Sequence, residues 1–304
     1  MLARPRRIAY NLYHIMTVLY RNRTFISIQK IFAAFAADTL FHEGYHFHIY
    51  ERVLSVRMKY QVNVYWNKGA VRDANQDSLV VLQAMTSQGR VLMAAVCDGM
   101  GGMDRGELAS GYLTEELITW FYDGLLKAVG QKKPLWVLRR SAERKLFQVQ
   151  QRMQRYAENH SLEMGTTMSM LVLWEKRYLL WHLGDSRIYR LSTRKKKAIS
   201  LLTKDHVQGK NRLTKCVGSF GFFQPDFRMG AAGNREAFLL CSDGFWHEMS
   251  AEELGEILTP EGMSEERCDR RLREIGEAAI RRGEQDNLSA VYIRMQKQIE
   301  QSGD

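Results

Sequence analysis

Carboxylates stand at the margins of the apolar segments of this chain, and no other feature constrains the fold as strongly. Five aspartates share this placement, two of them just before an apolar run and three just after one: Asp77, Asp286, Asp98, Asp185 and Asp243. Apolar runs that do not alternate with polar residues are typical of strands buried on both faces. The pattern therefore predicts a core of buried strands with acids at the strand ends.

Taken alone, each acid has an ordinary explanation as a turn residue or a cap. Residues 91–98, VLMAAVCD, lead into Gly99, Gly101 and Gly102, and Asp-Gly is a common turn signal. The alternative is a ligand site, because glycine lets the backbone approach whatever the Asp98 carboxylate holds. This stretch by itself favours the turn.

Taken together, the five acids favour a metal site. Buried carboxylates that converge repel one another and lose their hydration unless a cation replaces it. Aspartates without histidine or cysteine suit hard cations such as Mg²⁺ and Mn²⁺, and a pair of such ions can serve phosphoester hydrolysis. No G-x-S-x-G motif occurs, and neither Cys97 nor Cys241 has a neighbouring residue that would activate its thiol.

The order of the segments predicts an α+β fold. Strand-like segments come first, then two helical segments at about 107–127 and 134–159, then further short strands. Asp123 and Gly124 are interpreted as an incidental helix end. A helix is expected after Ser250, because Ser250 and Glu253 have the spacing of a capping box, and a last helix at about 264–282. Strands in blocks and helices in blocks indicate a layered domain and not a Rossmann alternation.

The net charge of +10 does not indicate a nucleic-acid-binding protein. Residues 1–57 carry 8 Lys/Arg against 3 Asp/Glu, which leaves 36 against 31 for the rest, so each part has a net charge of +5. The longer part is close to balanced, and a solvated hairpin loop explains its basic run at 194–197. A nucleic-acid-binding surface would need a basic stripe with interleaved aromatic side chains there.

Residues 1–57 differ from the rest of the chain and are interpreted as an N-terminal extension, either an accessory segment or sequence that is not native to the domain. They are rich in Tyr, Phe, His and Ile, and strand alternation begins at Met58. The basic start lacks a small-residue cleavage site, so no signal peptide is expected.

Without an apolar run of about 18 residues and without a C-x-x-C pair, we expect a cytoplasmic protein with no membrane span and no disulfides.

Seven short motifs over residues 72–291 carry a resemblance to a known family. In chain order they are RDANQDS, CDGMGG with GELAS, GTT, HLGDSRIYRL, LTKDH, LLCSDG and DNLSAV. The chain resembles the metal-dependent (type 2C, or PPM) serine/threonine protein phosphatases, and its Met-Gly-Gly version resembles the bacterial branch. The resemblance implies that residues 58–304 form two stacked, mainly antiparallel β-sheets flanked by helix pairs, with metal ions between the sheet edges.

The resemblance also implies a metal role for six residues. The expected ligands of two Mn²⁺ or Mg²⁺ ions and a weaker third ion are Asp77, Asp98, Gly99, Asp185, Asp243 and Asp286. Among them Asp98 is expected to bridge both ions and Gly99 to contribute its carbonyl. Asp185, together with Asp243, is expected to hold the third ion.

Arg72 matches the family's arginine that grips the substrate phosphate, since a planar guanidinium binds two phosphate oxygens and stays charged. With Asp77 and Asp98 it makes up the expected catalytic set. The implied reaction is direct attack on phosphoserine or phosphothreonine by a water or hydroxide that bridges the two ions, without a covalent enzyme intermediate. The implied partners are phosphoproteins modified by a serine/threonine kinase, and we expect a monomer.

Three departures from the family pattern bear on this interpretation. Met100 stands where animal members have a histidine proposed as general acid, so protonation of the leaving group is expected to fall to metal-bound water. Gln76 replaces the commoner glutamate beside Asp77, which is expected to weaken a water-mediated metal contact. The chain between LTKDHV and NRLTKCVGS is short, so a mobile flap beside the site is almost absent. This shortening puts substrate choice and the third ion in doubt.

The main alternative is a pseudophosphatase, which would use the same fold as a binding or regulatory module. Loss of metal-ligand acids would be its sign, and all of the expected acids are present. The sequence therefore favours an enzyme.

Overall fold

Two antiparallel sheets form the centre of the fold. The computed structural model describes residues 58–100, 105–193, 198–209, 212–218, 221 and 224–297, with the backbone of one further strand. The strands are β1 (Tyr13–Tyr20), β2 (Met58–Asn67), β3 (Asp77–Thr86), β4 (Gly89–Asp98), β5 (Met168–Trp174), β6 (Arg177–Leu183), β7 (Arg187–Ser192), β8 (Ile199–Leu201), β9 (Val207–Gln208), β10 (Arg212–Leu213), β11 (Asp226–Ala231), β12 (Glu236–Cys241) and β13 (Leu288–Lys297).

Each sheet combines strands that are neighbours in the sequence with strands that are far apart in it. The first sheet has the order β1-β3-β4-β5-β6-β11 and the second the order β2-β13-β12-β7-β8, while β9 and β10 form a separate hairpin. All of these pairings are antiparallel. In the second sheet β2, which begins at Met58, pairs with β13, the last strand described. The first and last strands of residues 58–297 therefore lie side by side.

The helices lie in two groups, as the sequence predicted. They are α1 (Gly106–Trp120), α2 (Lys127–Gly130), α3 (Leu135–His160), α4 (Asp243–Trp246), α5 (Ala251–Ile257) and α6 (Glu265–Arg282). The expected helix end at Asp123 is wrong, because a π-helical segment, Phe121–Leu126, joins α1 to α2 without a break. The capping box is confirmed: Ser250 Oγ accepts from the Glu253 amide at 3.2 Å, and Glu253 Oε2 accepts from the Ser250 amide at 2.8 Å.

Both faces of the central strands of each sheet are buried, which explains the continuous apolar runs of the sequence. Alternate residues of β3 face opposite ways, so that Leu79 and Val81 pack between the sheets while Val80 and Leu82 pack under the helices. α1 and α3 cover the outer face of the first sheet, and α5 and α6 cover the outer face of the second. The predicted α+β sandwich of two sheets flanked by helix pairs is confirmed.

The state of the cysteines and the length of the apolar helices bear on two expectations from the sequence. The four cysteines are free and buried. None of the helices in the part of the chain that the structure describes is long and apolar enough to cross a membrane. The basic run at 194–197 lies outside the described residues.

The N-terminal segment is described only at β1. This strand pairs antiparallel with β3 at the edge of the first sheet, with Leu19 opposite Val80 and Tyr20 opposite Leu79. The rest of residues 1–57 lies outside the described residues, and the division of the chain at Met58 stays a prediction.

We expect a chain that begins at Met58 to fold. Among the described residues, those from Met58 onward form three apolar clusters, and β1 pairs at the sheet edge, so its loss leaves the β3–β4 pairing in place. Circular dichroism and a thermal melt of the shortened protein measure the outcome. Insolubility, or a large drop in the melting temperature, would instead show that residues 1–57 are part of the domain.

Candidate functional site

Asp77 and Asp98 lie opposite each other at one end of the first sheet. Asp77 is the first residue of β3 and Asp98 the last residue of β4, and the register of the two strands pairs them directly. Side chains at paired positions have Cβ atoms about 4.5–5.5 Å apart. Backbone pairing alone therefore holds these two carboxylates side by side.

Asp243 and Asp286 are brought together at one end of the second sheet. The last residue of β12 pairs with the third residue of β13, so the chain leaving β12 meets the chain entering β13. The amide of Ser242 donates to the carbonyl of Ser289 at 3.0 Å and extends this pairing. Asp243 follows at once as the first residue of α4, and Asp286 lies in the loop before β13, two residues ahead of the strand.

The four acids converge, and their charges act on one another. Burial raises the pKa of Asp98 well above its usual range, and the carboxylates of Asp77 and Asp243 raise it further. Burial also raises the pKa of Asp243, where a hydrogen bond with Asp98 opposes the shift and the charge of Asp286 adds to it. The structure thus brings together the four acids that the resemblance assigns to two metal ions.

The carboxylate of Asp77 is the clearest sign that a cation fits here. Asp77 is 2% exposed, and neither of its oxygens has a hydrogen-bond partner among the described residues. Burial raises its pKa to about 7, and the nearby hydroxyls of Ser289 and Ser242 lower it only in part. A buried carboxylate with unused oxygens is costly, and hard cations prefer such ligands.

Asp185 lies beside the same cluster, in the turn between β6 and β7. Burial, and then the charge of Asp243, raise its pKa to about 7. The Asp185 carboxylate in turn raises the pKa of Asp98. The charges of Asp185, Asp98 and Asp243 therefore act on one another, and the role of Asp185 in holding a third ion stays a prediction.

Two threonines of the GTT motif fix the backbone of Asp98, a role that the sequence did not reveal. The hydroxyl of Thr166 and the amide of Thr167 both donate to the Asp98 carbonyl, at 2.9 and 2.8 Å. The Asp98 amide donates to Thr167 Oγ1 at 2.9 Å, and this oxygen also bonds Ser186 Oγ at 2.7 Å. Because Ser186 follows Asp185, these bonds connect the loops that carry the two acids.

Gly99 occupies a position that has no room for a side chain. A Cβ atom there would lie 2.3 Å from the carbonyl oxygen of Gly106 and 2.6 Å from that of Gln76. The Gly99 amide donates to the same Gln76 carbonyl at 3.2 Å. This packing fixes the backbone next to Asp98, as a carbonyl ligand at this position would require.

Arg72 reaches the acids from the loop before β3. Its Nη2 donates to Asp286 Oδ2 at 2.7 Å, and this bond raises the pKa of the guanidinium, to which the charges of Asp98 and Asp243 also contribute. The side chain is 37% exposed. A permanent cation that is open to solvent on one side can meet an anionic group that arrives from outside.

The match to known families agrees with this geometry. The model of the family described as Protein phosphatase 2C matches residues 70–291, a range that contains every candidate site residue. The chain belongs to the protein phosphatase 2C family.

Known phosphatases share the fold and much of the length of this chain. The protein phosphatase PhpP of Streptococcus pneumoniae is 25% identical over an alignment 256 residues long, which covers 78% of this chain and 98% of PhpP. A solved serine/threonine phosphatase of S. agalactiae superposes with a TM-score of 0.62 at 20% identity, over 78% of this chain and 99% of that one. The catalytic domain of PstP in complex with two manganese ions has a TM-score of 0.60 at 24% identity, over 79% and 100% of the chains.

Two departures from the family pattern are visible in this protein phosphatase 2C domain. Gln76 donates from Nε2 to Glu107 Oε2 at 3.4 Å, so its side chain contacts the first turn of α1. The short segment that stands in place of a flap forms the β9–β10 hairpin, in which Val207 pairs with Leu213. The Thr214 amide donates to the His206 carbonyl at 2.8 Å, which extends this pairing by one residue on each side.

The cysteines near the acids are not nucleophiles. Cys97 and Cys241 are fully buried, and burial raises the pKa of each thiol far above its usual value. Since the thiolate is the reactive form, burial disfavours the reactive form of both thiols.

In the presence of a chelator, we expect the stability of the protein to fall as the pH rises from about 4 to about 7. The pKa values of Asp77 and Asp185 are about 7 in the folded state, whereas an aspartate in an unfolded chain titrates at about 3.9. Below that pH both states are protonated, and above it the unfolded state releases protons first, so the native state loses stability. Thermal melts in EDTA across this pH range measure the effect.

Asp77→Asn tests the origin of the effect, because it keeps the shape of the side chain and removes its charge. In EDTA at pH 8 its melting temperature should exceed that of the wild type, by roughly 2–4 °C for each kcal/mol of relieved repulsion. Asp123→Asn is the control, since Asp123 is exposed and pairs with Lys127 on a helix surface. A melting temperature that rises with pH in EDTA would contradict the prediction.

Proposed function

We propose that this protein is a metal-dependent protein serine/threonine phosphatase, and the buried, unpartnered carboxylate of Asp77 among converging acids carries the proposal. Membership of the protein phosphatase 2C family and the similarity to PhpP support the reaction. A pseudophosphatase is not favoured, because the acids expected as ligands are present and lie together. The substrates of such an enzyme are phosphoproteins.

Two Mn²⁺ or Mg²⁺ ions fit the donor atoms of the site. The residues that would hold them are Asp77, Asp98, Asp243, Asp286 and the carbonyl of Gly99, and Asp185 would take part in holding a third. An all-oxygen donor set suits hard cations and not zinc. When bound, such ions supply a water of lowered pKa and neutralise charge on the transferred phosphoryl group.

Arg72 would bind and orient the phosphate. Among the described contacts its guanidinium uses Nη2 on Asp286, which leaves further N–H groups to meet two phosphate oxygens in the bidentate manner of arginine. Its partial exposure lets a phosphorylated side chain reach it from solvent. The positive charge of Arg72 also offsets part of the negative potential that would otherwise repel a phosphate from the acids.

The short β9–β10 hairpin leaves little chain to cover a bound peptide. We propose that recognition rests on the phosphate and the metal ions more than on the sequence around the phosphorylated residue. An opposing serine/threonine kinase, a monomeric state and a cytoplasmic location stay predictions from the sequence.

Hydrolysis of a phosphothreonine peptide should require Mn²⁺ or Mg²⁺ and disappear with EDTA. The reason is that the expected donor atoms are carboxylate and carbonyl oxygens. This set includes no histidine and no thiolate that could act as a nucleophile without a metal ion. Inhibitors of cysteine-dependent phosphatases should leave the rate unchanged, because the pKa values of the buried thiols are raised. Phosphate release by the purified protein measures both effects, and full activity in metal-free buffer would refute the proposal.

Two substitutions separate metal binding from phosphate binding. Asp98→Asn keeps the shape but loses the charge expected to bridge both ions, so Mn²⁺ affinity should fall and activity should drop by several orders of magnitude. Arg72→Ala removes a charge-assisted contact worth about 1.5–3 kcal/mol, so kcat/KM should fall about ten- to hundred-fold. Calorimetry should show Mn²⁺ binding by Arg72→Ala close to that of the wild type.

Asp123→Asn serves as the matched control for Asp98→Asn, because it is also an Asp-Gly aspartate but lies on a helix surface. It should leave both Mn²⁺ binding and turnover unchanged. Loss of metal binding in Arg72→Ala, or normal metal binding and turnover in Asp98→Asn, would show that the roles are assigned wrongly.

A further inference from the structure

The loop that carries Arg72 has little packing of its own. Four of residues 70–74 are exposed, and Val71, the one large apolar residue among them, is 61% exposed. The ion pair between Arg72 and Asp286 is about one-third exposed on both sides, and partly exposed ion pairs are weak anchors. The position of the Arg72 guanidinium must therefore be set by something other than loop packing or this ion pair.

One buried side chain holds both ends of the loop. Asn287 is 3% exposed, and its Nδ2 donates to the carbonyl of Lys68 at 2.8 Å and to that of Ala74 at 3.0 Å. Its Oδ1 accepts from the amide of Gln76 at 2.8 Å. A single carboxamide thus fixes the start and the end of the segment 68–76, and buried hydrogen bonds of this kind are costly to leave unmade.

The same residue is joined to the acids. The Asn287 amide donates to Asp286 Oδ1 at 2.7 Å, and the other oxygen of that carboxylate accepts from Arg72. The loop lies directly on this segment, because a Cβ atom at Gly69, where φ is +76°, would lie 2.3 Å from the Asp286 carbonyl oxygen. Loop and acid cluster therefore share one attachment point at the start of β13.

We infer that Asn287 is a positioning residue for phosphate recognition, which sets the place of the Arg72 guanidinium relative to the acid cluster by holding both ends of segment 68–76. The inference rests on the proposed phosphatase function, in which Arg72 binds the phosphate. Asn287 belongs to the DNLSAV motif, and the inference gives this asparagine a function of its own.

A double-mutant cycle on Asn287→Ala and Arg72→Ala tests the inference, with kcat and KM measured on a phosphothreonine peptide at saturating Mn²⁺. Asn287→Ala should lower kcat/KM about tenfold, mainly through KM. Arg72→Ala should then cost much less in the Asn287→Ala background than in the wild type, because residues that act through one contact are not additive. Mn²⁺ binding by calorimetry should stay within about twofold of the wild type.

Asn63→Ala is the matched control. Asn63 is also 3% exposed, and its Nδ2 donates to the Glu265 carbonyl at 3.0 Å and to Asp269 Oδ1 at 2.7 Å, so it joins β2 to α6. Its substitution should lower the melting temperature while its effect on kcat/KM adds to that of Arg72→Ala. Additive effects of Asn287→Ala and Arg72→Ala in an active enzyme would overturn the inference.

Hydrogen exchange gives a readout that does not depend on activity. Amides of residues 68–76 should exchange faster in Asn287→Ala than in the wild type or Asn63→Ala, and unchanged exchange would overturn the inference. A wild-type protein that does not hydrolyse the peptide would overturn the proposed function, even if the exchange data show that Asn287 holds the loop. If Asn287→Ala does not fold, Asn287→Ser takes its place, and failure of both to fold would mark Asn287 as a core residue and overturn the inference.

Discussion

The mutual repulsion of buried carboxylates is the interaction on which the rest of the structure depends. Burial raises the pKa values of Asp77 and Asp98, and the charge of Asp243 raises both further. The oxygens of Asp77 have no hydrogen-bond partner among the described residues. A cluster of buried carboxylates disfavours folding unless a cation binds. The surrounding structure must therefore hold the aspartates close together. The arrangement that costs stability is the same one that gives the site its affinity for hard cations.

The two sheets hold the acids close together by placing each one at or next to the end of a buried strand. Apolar layers cover both faces of each sheet, and the β3–β4 register sets Asp77 against Asp98. Beneath the acids, Ser169 Oγ bonds the Ser186 carbonyl at 2.8 Å and His182 Nδ1 at 3.0 Å. Burial lowers the pKa of His182 to about 4, so this network is neutral near pH 7 and adds no charge to the cluster.

Arg72 brings positive charge to the candidate site from the loop before β3, through its bond to Asp286. Arg72 stands on an exposed loop at the solvent side, whereas the acids are held by strand ends in the interior. A phosphate that contacts the guanidinium is thereby directed towards the acids and the ions that they would hold. This division between acids held at strand ends and an arginine on an exposed loop is the reason that we propose Asn287 as an anchor for the loop.

The sequence by itself determined the layered α+β fold, the two groups of helices, the Ser250 capping box and the set of acids, because periodicity, caps and motifs depend on residues close together in the chain. Its one local error, a helix end at Asp123, arose because a turn signal was outweighed by the packing of Phe121 and Leu125 in the core.

Only the tertiary structure decided what holds the acids and Arg72 in place. Asn287 bonds backbone groups that precede it by 211, 213 and 219 residues, and Thr167 reaches Asp98 across 69. Such partners are chosen by strand register and loop closure, which no local pattern encodes.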